Sequence, residues 1–418
     1  MCAGSSNYRT LSPRPWFVRR YNRMNMALDI GAVQKALKAD GLDAWLLYDF
    51  HGSNPVSFRL AGMGAAGHLA TRRWFYLIPQ SGEPRSLVHA IEQYNLDHLP
   101  GSKSIYAGRA ELHAGLTRLL KGLTRVAMEY SPNCAIPYVS RVDGGTIELI
   151  RGLGVDVVSS GDLIQQFEAR WNDAAIATHR TASEKLYRIK DQAFEEIARR
   201  LRDGVATSEY DIQKKMVGWF KDEGLTSDSA PCVSAQENAG NPHYLATAAE
   251  HRVIRKEELV LLDLWGKLEK PGSVYADITW IGFTGPAVPD AMSRAFGAIC
   301  GARDAAVDIV QDAARAGREV RGFEADKAAR KVLIDAGFED AILHRTGHSL
   351  GENVHGNGAH LDDYETHDER RLLPGSGFTI EPGLYFKDFG VRTEINVVWA
   401  ENGPEVTGPR QKAILSLS

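Results

Sequence analysis

Leu186, Ile189, Ala193, Ile197 and Leu201 recur at three- and four-residue intervals and predict one apolar face of a helix that stops at Gly204. Ser208 with Asp211 is a capping-box start for a second helix, which carries Ile212, Met216 and Phe220 and ends at Gly224. Strand-like segments then run from Ala230 to Phe283. The order recurs further on: a long helix from Asp290 to Ala316, a second from Phe323 to Ala336, then strands through Trp399. Two copies of helix–helix–strands predict a pseudo-symmetric α+β domain over residues 178–418, a repeat of pattern without visible sequence identity. Upstream the rhythm differs. A helix over Ala32–Asp40 is stopped by Gly41, and short apolar runs at Ala44–Tyr48, Trp74–Ile78, Leu87–Ala90, Arg125–Met128 and Val155–Val158 predict strands. Helical stretches at Glu111–Leu120 and Leu163–Arg170 lie between them, so residues 27–172 are expected to form an α/β domain.

Composition narrows the class. A chain of 418 residues has room for two or three domains at ~150 residues each. With 44% hydrophobic and 24% charged residues it has the make-up of a globular protein, not of a low-complexity one. Lys and Arg number 49 against 53 Asp and Glu, a net charge of -4, so the basic excess of a dedicated nucleic-acid binder is missing. No apolar run approaches the ~20 residues that span a bilayer, and no membrane partner is expected. The four cysteines are scattered without a CxxC pair, which excludes a disulfide framework or thiolate zinc site and fits a reducing cytoplasm. Residues 1–26 hold Arg9, Arg14, Arg19, Arg20 and Arg23, with no acid before Asp29 and no apolar core to follow. They are expected to be a flexible extension upstream of an alternative start at Met24 or Met26, not a secretory signal.

Two motifs match catalytic patterns without their required context. Gly62-Met63-Gly64-Ala65-Ala66-Gly67 fits GxGxxG, but Pro55 interrupts the lead-in where a strand is needed, and the strand-like Arg73–Ile78 follows where a helix is needed. A loop is expected there. Gly347-His348-Ser349-Leu350-Gly351 fits the GxSxG nucleophile elbow, yet the next residues include Gly356, Asn357 and Gly358 in place of a helix. A serine hydrolase using Ser349 therefore stands as a minor alternative.

The window 344–367 holds five of the 13 histidines: His344, His348, His355, His360 and His367. His344 and His348 are four apart, but Arg345 stands where a zincin HExxH carries its general base. The histidines gain meaning beside the acids. Leu259–Leu262 lead into Asp263, Asp277 follows on the next strand, and Thr379-Ile380-Glu381-Pro382-Gly383 repeats the pattern in the second half. In Val391–Val397 the alternation puts Arg392, Glu394 and Asn396 on one face. Each acid is embedded in apolar sequence, where a lone carboxylate is costly unless paired or metal-bound. Asp263, Asp277, Glu381 and Glu394 contribute four negative charges and His348 is a neutral ligand, so two divalent cations balance the set. Oxygen-rich ligation with one imidazole favours manganese, cobalt or iron over structural zinc, with catalytic zinc also admissible.

With these residues in order, the chain resembles the pita-bread metallopeptidases, which include methionine aminopeptidase, aminopeptidase P and prolidase. Asn241-Pro242-His243-Tyr244 is similar to the family's PHY segment, Asp263 and Asp277 to its aspartate pair, GHSLG to its GHxxG, and Glu381 and Glu394 to its EPG and RxE glutamates. Residues 27–172 resemble, more loosely, the creatinase-type N-terminal domain of the proline peptidases. The resemblance implies that Asp277 and Glu394 bridge two metals, with Asp263 completing one and His348 and Glu381 the other. A hydroxide held between them would attack the scissile carbonyl, and Glu381 would relay the proton. By the same resemblance His243 and His355 bind or polarise substrate, Arg392 holds a substrate carboxylate, and His344 matches a histidine of many proline-specific members. A homodimer is also implied.

Three departures bear on substrate preference. Asp263 and Asp277 are 14 apart, longer than the family's usual 11, so the hairpin around Pro271-Gly272 is expected to bulge. The common HExP is replaced by His355-Gly356-Asn357-Gly358. Trp265 replaces the glycine of Asp-x-Gly, and Trp280 stands where an Arg often follows. Tyr244, Trp280 and Phe386 are candidates to pack on a proline ring. The expectation is thus a dinuclear peptidase cutting Xaa-Pro bonds, an Xaa-Pro dipeptidase ahead of an Xaa-Pro aminopeptidase, with an inactive binding protein of the same fold as the alternative of another class.

Overall fold

The computed structural model describes residues 28–63 and 70–418. The extension expected at 1–26 and the Gly64–Gly67 half of the GxGxxG match lie outside the described residues. The described lead-in to that match is a short helix, not a strand, as the geometry below shows.

The amino-terminal elements are α1 (Ile30–Ala39), β1 (Ala44–Asp49), α2 (Pro55–Leu60), β2 (Trp74–Pro79), β3 (Arg85–His89), β4 (Ser102–Tyr106), α3 (Arg109–Leu119), β5 (Arg125–Met128), α4 (Gly144–Gly152), β6 (Asp156–Ser159) and α5 (Gly161–Glu168). The strands form one mixed sheet in the order β4-β3-β2-β1-β5-β6. β1 and β2 are buried at every position because helices cover both faces, which is why they read as unbroken apolar runs. Two elements escape the hydrophobic pattern. Edge strand β4 (SKSIY) is mostly exposed, and α2 is set by its Asn54 cap and a Pro at its first turn.

The second part starts with α6 (Asp173–Arg202) and α7 (Glu209–Asp222). α6 begins 13 residues before the apolar stripe that predicts it, capped by Asn172. The Ser208–Asp211 capping box forms as expected: Ser208 Oγ accepts from the Asp211 N–H and Asp211 Oδ2 accepts from the Ser208 N–H. Next come β7 (Leu225–Thr226), β8 (Cys232–Ala235), β9 (Leu259–Leu268) and β10 (Ala276–Phe283), then α8 (Asp290–Arg315) and α9 (Gly322–Asp335). The chain ends with β11 (Ser349–Leu350), β12 (Gly377–Ile380), β13 (Gly383–Tyr385), β14 (Gly390–Arg392), β15 (Ile395–Ala400), β16 (Gly403–Thr407) and β17 (Leu415–Ser416).

One sheet runs β17-β10-β9-β7 with β8 on β9, and the other β11-β12-β15-β16. The antiparallel β9–β10 hairpin divides the core. Leu262, Leu264, Ile278 and Trp280 pack against α6 and α7, whereas Leu259, Leu261, Ile281 and Phe283 join the core under α8 and α9. That second face also carries Asp263 and Asp277, so it changes from apolar to acidic along its length. Leu261 pairs with Ile281, Asp263 with Thr279, and Trp265 with Asp277. The long interval between the two aspartates is absorbed by a turn over 269–275, where Gly272 has φ 75°. No helix among the described residues is long and apolar enough to cross a membrane.

Candidate metal centre

Paired residues of an antiparallel hairpin share a face, so Asp263, Thr279, Asp277 and Trp265 project together. β14 and β15 are interrupted at Thr393–Glu394, and there the Glu394 N–H donates to the Thr279 carbonyl at 3.1 Å. Asn396 fixes the same crossing, its Oδ1 accepting from the Asp277 N–H at 2.8 Å. Glu394 Oε2 accepts from Thr279 Oγ1 at 2.7 Å.

The opposite wall comes from the His348 and Glu381 segments. The Thr379 N–H donates to the His348 carbonyl and the Glu381 N–H to the Thr346 carbonyl, so the GHSLG strand runs along β12. Gly347 makes that approach feasible: a Cβ there would lie 2.1 Å from the Thr379 carbonyl oxygen. His348 Nε2 lies 3.3 Å from Glu381 Oε1 and 3.7 Å from Asp277 Oδ2. Ligand atoms of Asp277, His348 and Glu394 all fall within 4.8 Å of one another. The five residues of the expected ligand set therefore converge on one cavity of about 680 Å³.

Its electrostatics are unbalanced. Burial raises the Asp277 and Glu394 pKa values well above the usual carboxylate range, and the neighbouring acids raise them further. Burial also raises Asp263, though Arg392 opposes it. For Glu381 burial works upward too, but His348, His344, Arg392 and Arg345 outweigh it and lower its pKa. Burial pushes the His348 imidazole down to about 3, so it is neutral and able to ligate. The fit to cations is direct: Asp277 Oδ1 and Glu394 Oε1 are buried without a hydrogen-bond partner. Arg392 donates to Asp263, leaving the other three carboxylates without a guanidinium hydrogen bond among the described residues. Buried oxygens in that condition suit hard divalent cations.

Several expected substrate contacts fall elsewhere. His243, His344 and His355 line the cavity, and the His355 ring meets His348 edge-on at 4.4 Å. Tyr244 does not line it; its hydroxyl is bonded to Glu209 at the start of α7. Trp280 is one residue out of phase with Thr279, so it faces α6 and packs under Lys190 and against Tyr187. Phe386 packs edge-on against Phe338 and at a tilt against Phe389. Arg392 reaches the cavity but is committed, through Nη2 to Asp263, Nη1 to Tyr385 and Nε to Thr279. It is not the free carboxylate partner the motif suggested.

Other residues join the site, of which the sequence singled out only Trp265. Trp265 borders the cavity with its Nε1–H on Asp228, Tyr385 links His344 to Arg392, and Tyr138 arrives from the amino-terminal part to meet Arg345. Alternation with Asp277 marks Thr279; nothing local marks Tyr138. Ser349 is no elbow nucleophile. It is buried in β11, no helix follows, and its Oγ accepts from the Gly358 N–H at 3.0 Å. Gly356 and Gly358 let this loop close on it, since a Cβ at either would lie 2.7 or 2.6 Å from Ser349 Oγ.

These features define a pita-bread protein with a carboxylate-rich centre built for cations. The chain belongs to metallopeptidase family M24, whose model matches residues 182–401, more than half of it. A probable dipeptidase PepE of Mycobacterium tuberculosis strain H37Rv is 26% identical over 259 residues, 62% of this chain and 63% of that protein. An Xaa-Pro dipeptidase of Lactobacillus delbrueckii subsp. lactis is 32% identical over 172 residues, 41% of this chain and 42% of that protein. The chain thus covers less than two thirds of these relatives' length. In fold it is similar to the crystal structure of dipeptidase PepE from Mycobacterium ulcerans, with TM-score 0.64, 22% identity, and 93% and 96% of the two chains covered. The prolidase of Pyrococcus horikoshii OT3 gives TM-score 0.55 at 19% identity, covering 92% and 99%.

Proposed function

We propose that this chain is a metal-dependent peptidase that hydrolyses Xaa-Pro dipeptides with two divalent cations held by Asp263, Asp277, His348, Glu381 and Glu394. The observation that carries this is the pair of partnerless buried oxygens on Asp277 and Glu394, which would help to hold the cations. Oxygen-rich ligation favours manganese among the cations. Cations in that cradle supply Lewis acidity, which polarises a carbonyl and lowers the pKa of water toward ~7.

The chain's own groups do the rest. Glu381 is held ionised, and Thr379 bonds its Oε1, which leaves Oε2 to take a proton from attacking water. That proton is then delivered to the proline nitrogen as the C–N bond breaks, so that proline leaves as a secondary amine. His355, kept neutral by burial, and His243 offer ring N–H donors to the substrate carbonyl. The relatives named as dipeptidase and Xaa-Pro dipeptidase support the choice of substrate over an Xaa-Pro aminopeptidase. A cytoplasmic homodimer is part of the same proposal, supported by the scattered free cysteines and by the family resemblance.

The test is chelation followed by metal readdition on an Xaa-Pro dipeptide and an Xaa-Pro-Yaa tripeptide. Loss and recovery of activity, with the dipeptide cleaved faster, is expected. Activity that survives chelation sinks the metal mechanism, and faster tripeptide cleavage reassigns the chain to aminopeptidases.

A further inference from the structure

A second guanidinium enters the cavity that Arg392 cannot serve. Arg345 lines it beside His344 and His348 and is 9% exposed. Its Nη1 donates to the Tyr138 hydroxyl at 2.6 Å, and its Cζ lies 5.5 Å from the centre of the Tyr138 ring. Nε and Nη2 make no side-chain hydrogen bond among the described residues. The nearest acid is Glu365, whose Oε2 is 3.9 Å from Nη1 and whose side chain is 43% exposed. That is too long for a hydrogen bond. Glu365, which accepts from the Arg345 backbone N–H, is thus a half-exposed ion-pair partner at a distance. The one side-chain hydrogen bond of this nearly buried guanidinium goes to a neutral phenol, which leaves it short of the bidentate anion that buried arginines favour. Tyr138 is itself fixed, its ring edge-on to buried His360 at 4.4 Å.

We propose that Arg345 and Tyr138 form the pocket for the C-terminal carboxylate of a dipeptide, so that the amino-terminal part of the chain helps to set substrate length. This rests on the dipeptidase function proposed above. The planar guanidinium fork matches a carboxylate bidentately, and the Tyr138 hydroxyl, which accepts from Arg345, donates its own proton to the same group. A longer peptide presents a neutral amide there, returns weaker hydrogen bonds, and leaves the cation without its anion.

The experiment compares an Xaa-Pro dipeptide with its C-terminal amide on the full-length protein. Turnover is measured on the metal-loaded enzyme, and calorimetric binding on the chelated protein. The wild type should favour the acid by on the order of ten- to a hundredfold. In Arg345→Gln the acid-over-amide ratio should collapse toward one in both assays, with the loss in turnover falling on KM and not on kcat. Arg345→Lys should recover part of the ratio, and Tyr138→Phe should lower it by about threefold. Since Arg345→Gln removes a nearly buried charge, Arg345→Lys and Tyr138→Phe decide the matter if it fails to fold. A ratio unchanged in the folded variants overturns the proposal. If the holoenzyme cleaves no Xaa-Pro peptide but the chelated protein keeps an Arg345-dependent preference for the acid, the pocket stands and the peptidase function falls.

Discussion

Glu129 in the amino-terminal sheet and the Asp277–Glu394 pair in the second part are equally hidden, at 0%, 5% and 2% exposure. Their surroundings differ in completeness. Glu129 Oε1 accepts from Trp45 Nε1 and Ser160 Oγ, and its Oε2 from Asn54 Nδ2 and Ser57 Oγ, all at 2.6–3.1 Å. Asp277 and Glu394 each retain an oxygen with no donor. Burial raises the pKa of all three, but only around Glu129 do neutral donors meet both oxygens. A carboxylate with four donors is a knot that ties elements together; one whose neighbours are further carboxylates needs a cation to complete it. Burial alone therefore does not mark the centre; among the described residues, buried carboxylate oxygens without a donor do, and these are the ones on Asp277 and Glu394.

The sharpest way to break this contrast is to neutralise one member of the unfinished pair. Asp277→Asn or Glu394→Gln should cost at least one bound metal per chain and on the order of a thousandfold in kcat/KM. Metal analysis by mass spectrometry and steady-state kinetics check this together. Two metals per chain with normal turnover in Asp277→Asn would show that the bridging assignment is wrong.

Glu129 should answer in the opposite currency. Glu129→Leu strips four buried donors of their acceptor, at ~1–3 kcal/mol for each that finds no other partner, so a loss of roughly 4 kcal/mol is expected. Denaturant unfolding measures it, while metal content of the folded fraction stays at the wild-type value. Loss of metal without loss of stability would merge the two classes.

The same distinction explains what could be read from sequence. The convergence of Asp263, Asp277, His348, Glu381 and Glu394 on one cavity is legible because each acid interrupts an apolar strand and the set keeps its order. The helix pairs were legible from periodicity, since their apolar faces are the core under each half. Trp280 lies on the face opposite Asp277, where strand alternation assigns it, and so away from the proline-ring role its type suggests. Residue type and motif do not reveal that Tyr244 and Arg392 already have partners, Glu209 in one case and Asp263 in the other. Tyr138 was invisible: it lies 207 residues from Arg345, and no periodicity joins them. Edge strand β4 (SKSIY) is mostly exposed, with only Tyr106 buried, and carries no alternation to detect.

A finished group can also be a histidine. His179 on α6 is fully buried, with Nδ1 on the Tyr275 carbonyl at 2.8 Å and Nε2 on Thr407 Oγ1 at 2.9 Å. Burial pushes its pKa down to about 4 from the ordinary 6.5. Its stabilising contribution is present above pH 6.5, where folded and unfolded chains are both neutral. It is lost as pH falls toward 4, because only the unfolded chain then takes up a proton. At about 1.4 kcal/mol per pH unit this removes roughly 3 kcal/mol across that window. His179→Gln should flatten the acid limb of the stability curve by about one proton, as followed by denaturant unfolding at several pH values. An unchanged slope would mean that His179 does not stay neutral in the fold.

Ser349 is the smallest test and the one that separates a finished hydroxyl from a reactive one. It sits beside His348 within GHSLG, and a sequence motif alone would make it a nucleophile. In the structure its Oγ accepts from the Gly358 N–H and lies 3.4 Å from the Leu350 carbonyl, while His360 Nδ1 accepts from the Ser349 backbone N–H and not from the hydroxyl. The hydroxyl thus anchors the 356–358 loop, with no general base on it. Ser349→Ala should cost about 1 kcal/mol of stability from the orphaned Gly358 N–H. It should leave kcat within about threefold of the wild type, whereas loss of a true nucleophile costs several orders of magnitude. A fluorophosphonate probe supplies the independent readout. A covalent adduct on Ser349, with activity lost in Ser349→Ala and retained after chelation, would move this residue from the finished class to the reactive one and replace the metal mechanism.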